Sequence, residues 1–364
     1  MCFLIYIIMM SHKGNAGISA LLVNSNLNPH CSVSVRSMSN GILIISLLFL
    51  LLTSCSGFVQ VGIGSDLEDK CMVQLAGLPA GAHLDVFVYD DITGRMDSYQ
   101  RFSSWNGGPV DVSSRSGPRR VVLCTGRDDF SWMDVRSWNS LETRMVRLED
   151  EQLHRPFMSG VLYLTAGQEG DAVMSPLCSE IVLRSIRCSF HNTAYSGECL
   201  RNVRVYLTNV SAESSVLGLS SACPSRHVNV GRLSEEDVHG FASPSMISQE
   251  VEGDVGDQVR NLDLEFRCYP NTSLEDGPGT PFTRLVIEGT VGDDVWYWPL
   301  DINRGSMAAD GAHPGIERGV RYVLDVEITR KGSSDPDVPV DIHRAGVELK
   351  IEGWKEKEGY SVSF

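Results

Sequence analysis

The chain has 364 residues, 31 of them basic and 46 acidic, for a formal net charge of -15. Hydrophobic residues make up 42% and charged residues 21%, a globular composition long enough for two ordinary domains. The acidic balance argues against a nucleic-acid binder and against electrostatic docking on an anionic membrane, because both need a basic surface.

The first predicted element is a targeting segment. Gly41 to Leu52, GILIISLLFLLL, is glycine or apolar everywhere except Ser46. That length fits a signal-peptide core and is too short to span a bilayer. Leu52-Thr53-Ser54-Cys55 follows directly and is similar to the bacterial lipobox. There the cysteine thiol takes diacylglycerol and the leader is cut just before it; small residues ahead of the thiol let the strand fit the peptidase. Cys55 is therefore the predicted lipidation site, with 1–54 as signal peptide and 55–67 as a lipidated linker. A leader of that length exceeds the usual 15–30 residues, so a later start is expected, Met38 being the simplest.

The remainder reads as all-β. Period-2 alternation runs through Leu84–Tyr89, Val203–Leu207, Leu262–Phe266, Val323–Ile328 and Val347–Glu352, the mark of half-buried antiparallel strands with one polar face. Shorter apolar runs at Val121–Leu123, Val161–Leu164, Ile181–Leu183 and Leu285–Ile287 predict further strands. Gly- and Asp-rich turns separate them. Ser137–Leu153 is the best candidate for a short helix. The spacing predicts β-sandwiches, divided near Ala172–Ser179 into domains at 68–176 and 177–331.

Little in the chain points to catalysis. Seven cysteines follow Cys55: Cys71, Cys124, Cys178, Cys188, Cys199, Cys223 and Cys268. Most are expected as buried thiols, with Cys188 and Cys199 the one pair that a hairpin would bring together. Cys188, His191 and Cys199 lack the paired spacing and fourth ligand of a zinc site. Asp293, Asp294 and Asp301 near Trp296 and Trp298 read as a turn and an aromatic strand rather than a glycosidase pair. No nucleophile elbow, P-loop or dinucleotide fingerprint is present. The expectation is a non-enzymatic protein with no catalytic, cofactor or metal site.

The C-terminal end carries more. Gly332 to Val340, GSSDPDVPV, is a linker by composition. It leads to the strand Val347–Glu352, in which Val347, Leu349 and Ile351 form one apolar face and Glu348, Lys350 and Glu352 the other. A strand on a linker can pack at its own sheet edge or be given to a neighbour, so 332–364 is predicted to be a linker and candidate donor strand.

With these residues in hand, the chain resembles the fimbrillin superfamily of Bacteroidales, particularly FimB-like anchor subunits of type V pili. The resemblance rests on the lipobox at Cys55, on Pro156-Phe157-Met158-Ser159-Gly160, on Ile181 to Arg187, on the Asp335-Pro336-Asp337 tail and on the last strand reaching Trp354. It implies two tandem transthyretin-like β-sandwiches, export as an outer-membrane lipoprotein at the cell surface, and assembly with other fimbrial subunits by strand exchange. In that family, polymerising subunits are cut after an arginine near the mature N-terminus. Here no arginine precedes Arg95 in the chain after Cys55, which fits an anchor or accessory subunit that keeps its first strand. The alternative reading is a surface lipoprotein holding a glycan through exposed aromatics such as Trp105, Trp132, Trp138, Trp296 and Trp298.

Overall fold

The structure is a computed structural model that describes residues 69–339, apart from 128, 192, 219–225 and 306–313, together with the backbone of 347–353. The described residues fall in one compact unit. Nine strands come first: β1 (Asp69–Ala76), β2 (Leu84–Asp90), β3 (Met96–Phe102), β4 (Val110–Ser114), β5 (Pro118–Thr125), β6 (Met145–Arg147), β7 (Met158–Thr165), β8 (Glu169–Val173) and β9 (Ser175–Pro176). Eleven follow: β10 (Ser179–Cys188), β11 (Arg201–Thr208), β12 (Val210–Ser211), β13 (Glu213–Ser215), β14 (His227–Val228), β15 (Ser248–Glu250), β16 (Arg260–Cys268), β17 (Arg284–Val291), β18 (Asp294–Asp301), β19 (Val320–Ile328) and β20 (Val347–Gly353). The expected all-β character holds.

The same seven-strand connectivity occurs twice. In the first set, β4-β1-β8 forms one sheet and β3-β2-β5-β7-β9 the other. In the second, β16-β10-β19-β20 faces β15-β11-β17-β18. Each set opens with a strand flanked by an antiparallel and a parallel partner: β1 by β4 and β8, β10 by β16 and β19. The sets differ at the outer edge of the parallel partner. β19 is covered by β20, whereas β8 has no further strand among the described residues.

Two apolar cores hold the layers. Cys71 and Val73 of β1, Val110 and Val112 of β4 and Ala172 of β8 pack against Leu84, Val86, Val88, Val121 and Leu123. The opposite face of β2 and β5 is buried as well. Phe87, Tyr89, Val122 and Cys124 meet Trp132, Val135 and Phe157 in a core continuous with that of the second set. The expectation of one polar face therefore fails at Leu84–Tyr89, because the segment after β5 folds back over that side. Asp85, 1% exposed, is made tolerable there by donors: Tyr99 Oη and Arg101 Nε at 2.7 Å and Trp132 Nε1 at 2.6 Å.

The helix expected over Ser137–Leu153 is reduced to α1 (Trp138–Glu142), capped by Ser137, whose side chain accepts from the Ser140 amide. The chain then enters β6, which pairs with β13 of the second set, and a 3-10 turn at Leu148–Asp150. The β6 pairing explains the loss: Val146 is drawn into the core as a strand residue. The only other α-helix of the described residues is α2 (Glu235–His239).

Two polar contacts fasten the sets together. Arg318, ahead of β19, donates to the carbonyls of Ser159, Ser175, Pro176 and Leu217 at 2.7–2.9 Å. Glu151, 5% exposed, accepts from the Phe157 amide at 2.8 Å and from Tyr269 Oη at 2.9 Å. Burial pushes the Glu151 carboxyl up from 4.5 to about 7. The folded chain thus keeps a proton that the unfolded chain releases in this window. The resulting stability is complete below about pH 4.5 and is lost as pH rises toward 7. Glu151→Gln is expected to remove that slope. Urea denaturation at pH 5 and pH 8 should give a smaller stability difference than in the parent, and a variant more stable at pH 8 by about 1–3 kcal/mol.

Candidate functional site: the C-terminal strand and its strap

β20 runs antiparallel to β19 and pairs with no other strand of the described residues. Its register sets Ile351 opposite Tyr322, Leu349 opposite Leu324 and Val347 opposite Val326. Those three β19 residues lie in the core. The side chains of Val347, Leu349 and Ile351 are outside the described residues.

The segment that leads to β20 is a strap. Glycine, serine and proline content predicts a free linker over 332–340; the described part is instead fastened at successive points. Trp298 Nε1 donates to the Arg330 carbonyl at 3.0 Å. Lys331 Nζ sits 3.5 Å from the Trp296 ring centroid and 3.6 Å from an Asp294 carboxylate oxygen. Ser333 and Tyr297 exchange two backbone hydrogen bonds, of 2.7 and 2.9 Å. Gly332 makes this approach possible: a Cβ there would run into the carbonyl oxygen of Tyr297.

The last fastening is electrostatic. Asp337 Oδ1 accepts from Arg284 Nη1 at 2.5 Å and from Asn209 Nδ2 at 3.0 Å. Arg284 is 2% exposed and also binds Asp301 at 2.7 Å and Asp276. Burial pushes the Asp301 carboxyl up while Arg284 pulls it down; burial dominates. Asn209 occupies the left-handed region at φ 55°, which asparagine tolerates better than most residues. The Asp-Pro-Asp tail is thus the third acid of a buried cation. Composition could not reveal this, because Arg284 lies 53 positions upstream.

The other sequence candidates fall as follows. Cys55, the signal peptide and the linker 55–67 lie outside the described residues, as does Cys223. Cys188 and Cys199 are both free thiols, so the hairpin does not pair them; Cys71, Cys124, Cys178 and Cys268 are free and buried. Among the described residues no group of His, Cys, Asp or Glu could hold a metal. Trp105, Trp132 and Trp298 are buried. Trp138 packs edge-on against Tyr89 beneath Arg120, and Trp296 lies under Lys331. These rings build cores and fastenings rather than an open aromatic platform. Asp301 serves Arg284 rather than facing a second acid across a cleft.

No known family model matches the sequence, and no curated protein matches it. The fold, however, is found in solved structures. A candidate cell adhesion protein from Bacteroides eggerthii superposes with a TM-score of 0.57 at 16% identity, over 79% of this chain and 96% of that one. One from Parabacteroides distasonis gives 0.55 at 15% identity, over 82% and 94%. A fimbrilin from Porphyromonas gingivalis gives 0.55 at 14% identity, over 78% and 97%. The chain shares the fold of these Bacteroidales proteins, consistent with the fimbrillin-superfamily resemblance.

Two substitutions probe the strap. Asp337→Ala is expected to cost about 1 kcal/mol or less globally, because the carboxylate is half exposed. It should nonetheless speed amide exchange at Ser333 and Tyr297. Arg284→Ala leaves Asp301 without its cation and is expected to cost about 3 kcal/mol. Hydrogen exchange with urea denaturation of both variants checks the split between local and global loss.

Proposed function

We propose that the chain is a structural subunit of a cell-surface fimbria, tethered by lipid at Cys55, whose C-terminal strand β20 joins a neighbouring subunit. In this reading residues 68–176 and 177–331 are tandem sandwich domains, and Val347, Leu349 and Ile351 form the apolar face that enters a sheet. The observation that carries it is the placement of β20. Among the described residues it is an edge strand paired with β19 and no other strand, on a root that the strap fixes independently of the strand. Such a strand can change partner while its base stays put. The shared fold with a fimbrilin supports the same reading.

The role within the fibre follows from the first strand. β1 sits between β4 and β8 with Cys71 and Val73 buried. Removing it would open the edge of the core it packs into to other chains. The chain after Cys55 contains no arginine before Arg95, which itself follows β2, so the arginine-directed cut of a shaft subunit has no place to occur. An anchor or accessory subunit that retains β1 fits best. In this reading attachment falls to the lipid at Cys55.

Two variants test the proposal. Deleting residues 340–364 keeps the strap and removes β20. The body should remain folded and lipidated but be absent from isolated fimbriae. Unfolding of the truncated chain, or normal incorporation, would sink strand donation. Cys55→Ala should release the protein from the membrane fraction; unchanged fractionation and mobility would remove the lipid tether.

A further inference from the structure

A cleft opens where the two strand sets meet, beside the β6–β13 pairing. It encloses about 610 Å3, within the range of small-molecule sites. Phe130 and Phe157 form its apolar floor, their rings edge to face with centroids 5.4 Å apart. Four arginines line it, Arg127, Arg144, Arg147 and Arg155, in a chain whose overall charge is strongly negative.

Arg127 is matched by Asp129 at 2.7 Å and Asp150 at 3.0 Å. Arg147 reaches Glu149 at 3.4 Å and Glu213 at 3.9 Å. Arg144 differs from both. Its guanidinium lies 5.1 Å from the Phe130 ring centroid, its Nη2 donates to the Ser131 carbonyl at 2.7 Å, and its Nε–H is buried without an acceptor. No carboxylate of the described residues pairs with it. A partly desolvated guanidinium without a counter-charge is best satisfied by a planar carboxylate, which matches its fork.

The rest of the wall narrows the ligand. Asp129 and Asp150 offer acceptors, while Gln152 and Thr143 offer groups of both kinds. A simple carboxylate would leave these unused. A hydroxylated ring bearing a carboxylate uses them together, with its apolar face on Phe130. A second cavity of about 410 Å3 shares Arg127, Asp150 and Gln152 and extends the cleft to Ala242, leaving room for more than one ring.

We propose that this cleft binds a short acidic saccharide, its carboxylate held by Arg144 and its hydroxyls by Asp150 and Gln152. No tryptophan of the described residues lines the site, Trp132 backing its floor from the core side, and it does not depend on the fimbrial reading.

Titration calorimetry of the chain with trigalacturonate, maltotriose and trialanine tests it. Trigalacturonate should bind saturably. The neutral trisaccharide and the peptide should each bind at least about tenfold more weakly, as expected from one charge-assisted contact or from several lost hydroxyl contacts. Arg144→Gln should weaken trigalacturonate binding by about tenfold or more. Met145→Trp, at an exposed wall position, should block entry and weaken binding without touching the core; it decides the matter if Arg144→Gln does not fold. Absence of saturable trigalacturonate binding overturns the proposal. So does equal binding of maltotriose, which removes the role of the carboxylate, or of trialanine, which removes that of the sugar. Unchanged affinity in both folded variants places any binding elsewhere and overturns it too.

Discussion

The position of the C-terminal strand depends on one desolvated cation. Arg284 begins β17, a central strand of the second set, and is nearly inaccessible to water. A guanidinium there cannot shed its charge, and leaving it unpaired would cost several kcal/mol. Three acids answer it from three parts of the chain: Asp276 before β17, Asp301 at the end of β18 and Asp337 in the strap. The first two come from the body of the sandwich. The third draws the strap across the sheet, and so fixes where the last strand departs. A stretch rich in glycine, serine and proline thereby becomes ordered structure without an apolar residue of its own in the core.

The middle of the molecule follows a related logic. The sheet built on β2 and β5 is buried on both faces, so the two strand sets share a core instead of meeting as separate surfaces. Polar groups caught in that junction have to be satisfied internally. Asp85 collects three different donors, Arg318 donates to four carbonyls and the Ser159 hydroxyl, and Glu151 is held by an amide and a phenol. These contacts add geometric definition to a junction that apolar packing alone leaves free to slide. The arginine-lined cleft beside β6 lies on the same junction, which is where pockets commonly form.

Much of the strand order was legible because burial repeats every second residue. Every run singled out for alternation, from Leu84–Tyr89 to Val347–Glu352, lies within or largely within a strand. What escaped was long-range. Nothing local distinguishes a strand buried on one face from β2, which is buried on both, since Asp85 is readable only once Trp132 and Arg101 are in place. Ser137–Leu153 looked helical because its pairing partner, β13, lies some seventy positions downstream. The strap looked free because Arg284 and Asn209 are far from it in sequence. Arg144 carried no signal either; its lack of a carboxylate partner is a property of the folded cleft alone.

A strap that is fastened separately from the strand it carries has an energetic consequence. Backbone hydrogen bonds contribute only about 0.5–1.5 kcal/mol each after solvent exchange, and an edge strand makes them to one neighbour. Moving β20 from β19 to an equivalent edge on another chain replaces like with like, so the pairing itself supplies little net drive. The direction of transfer must come from a difference between the edges. Among the described residues β19 is covered and β8 is not, although the two occupy the same place in the repeated connectivity. The cost of tethering also falls, because the strap has already given up its conformational freedom in the free chain and pays little more on assembly. On the proposed reading, the Arg284 cluster therefore contributes to assembly without touching a partner: it prepays the ordering of the segment from which the donated strand extends.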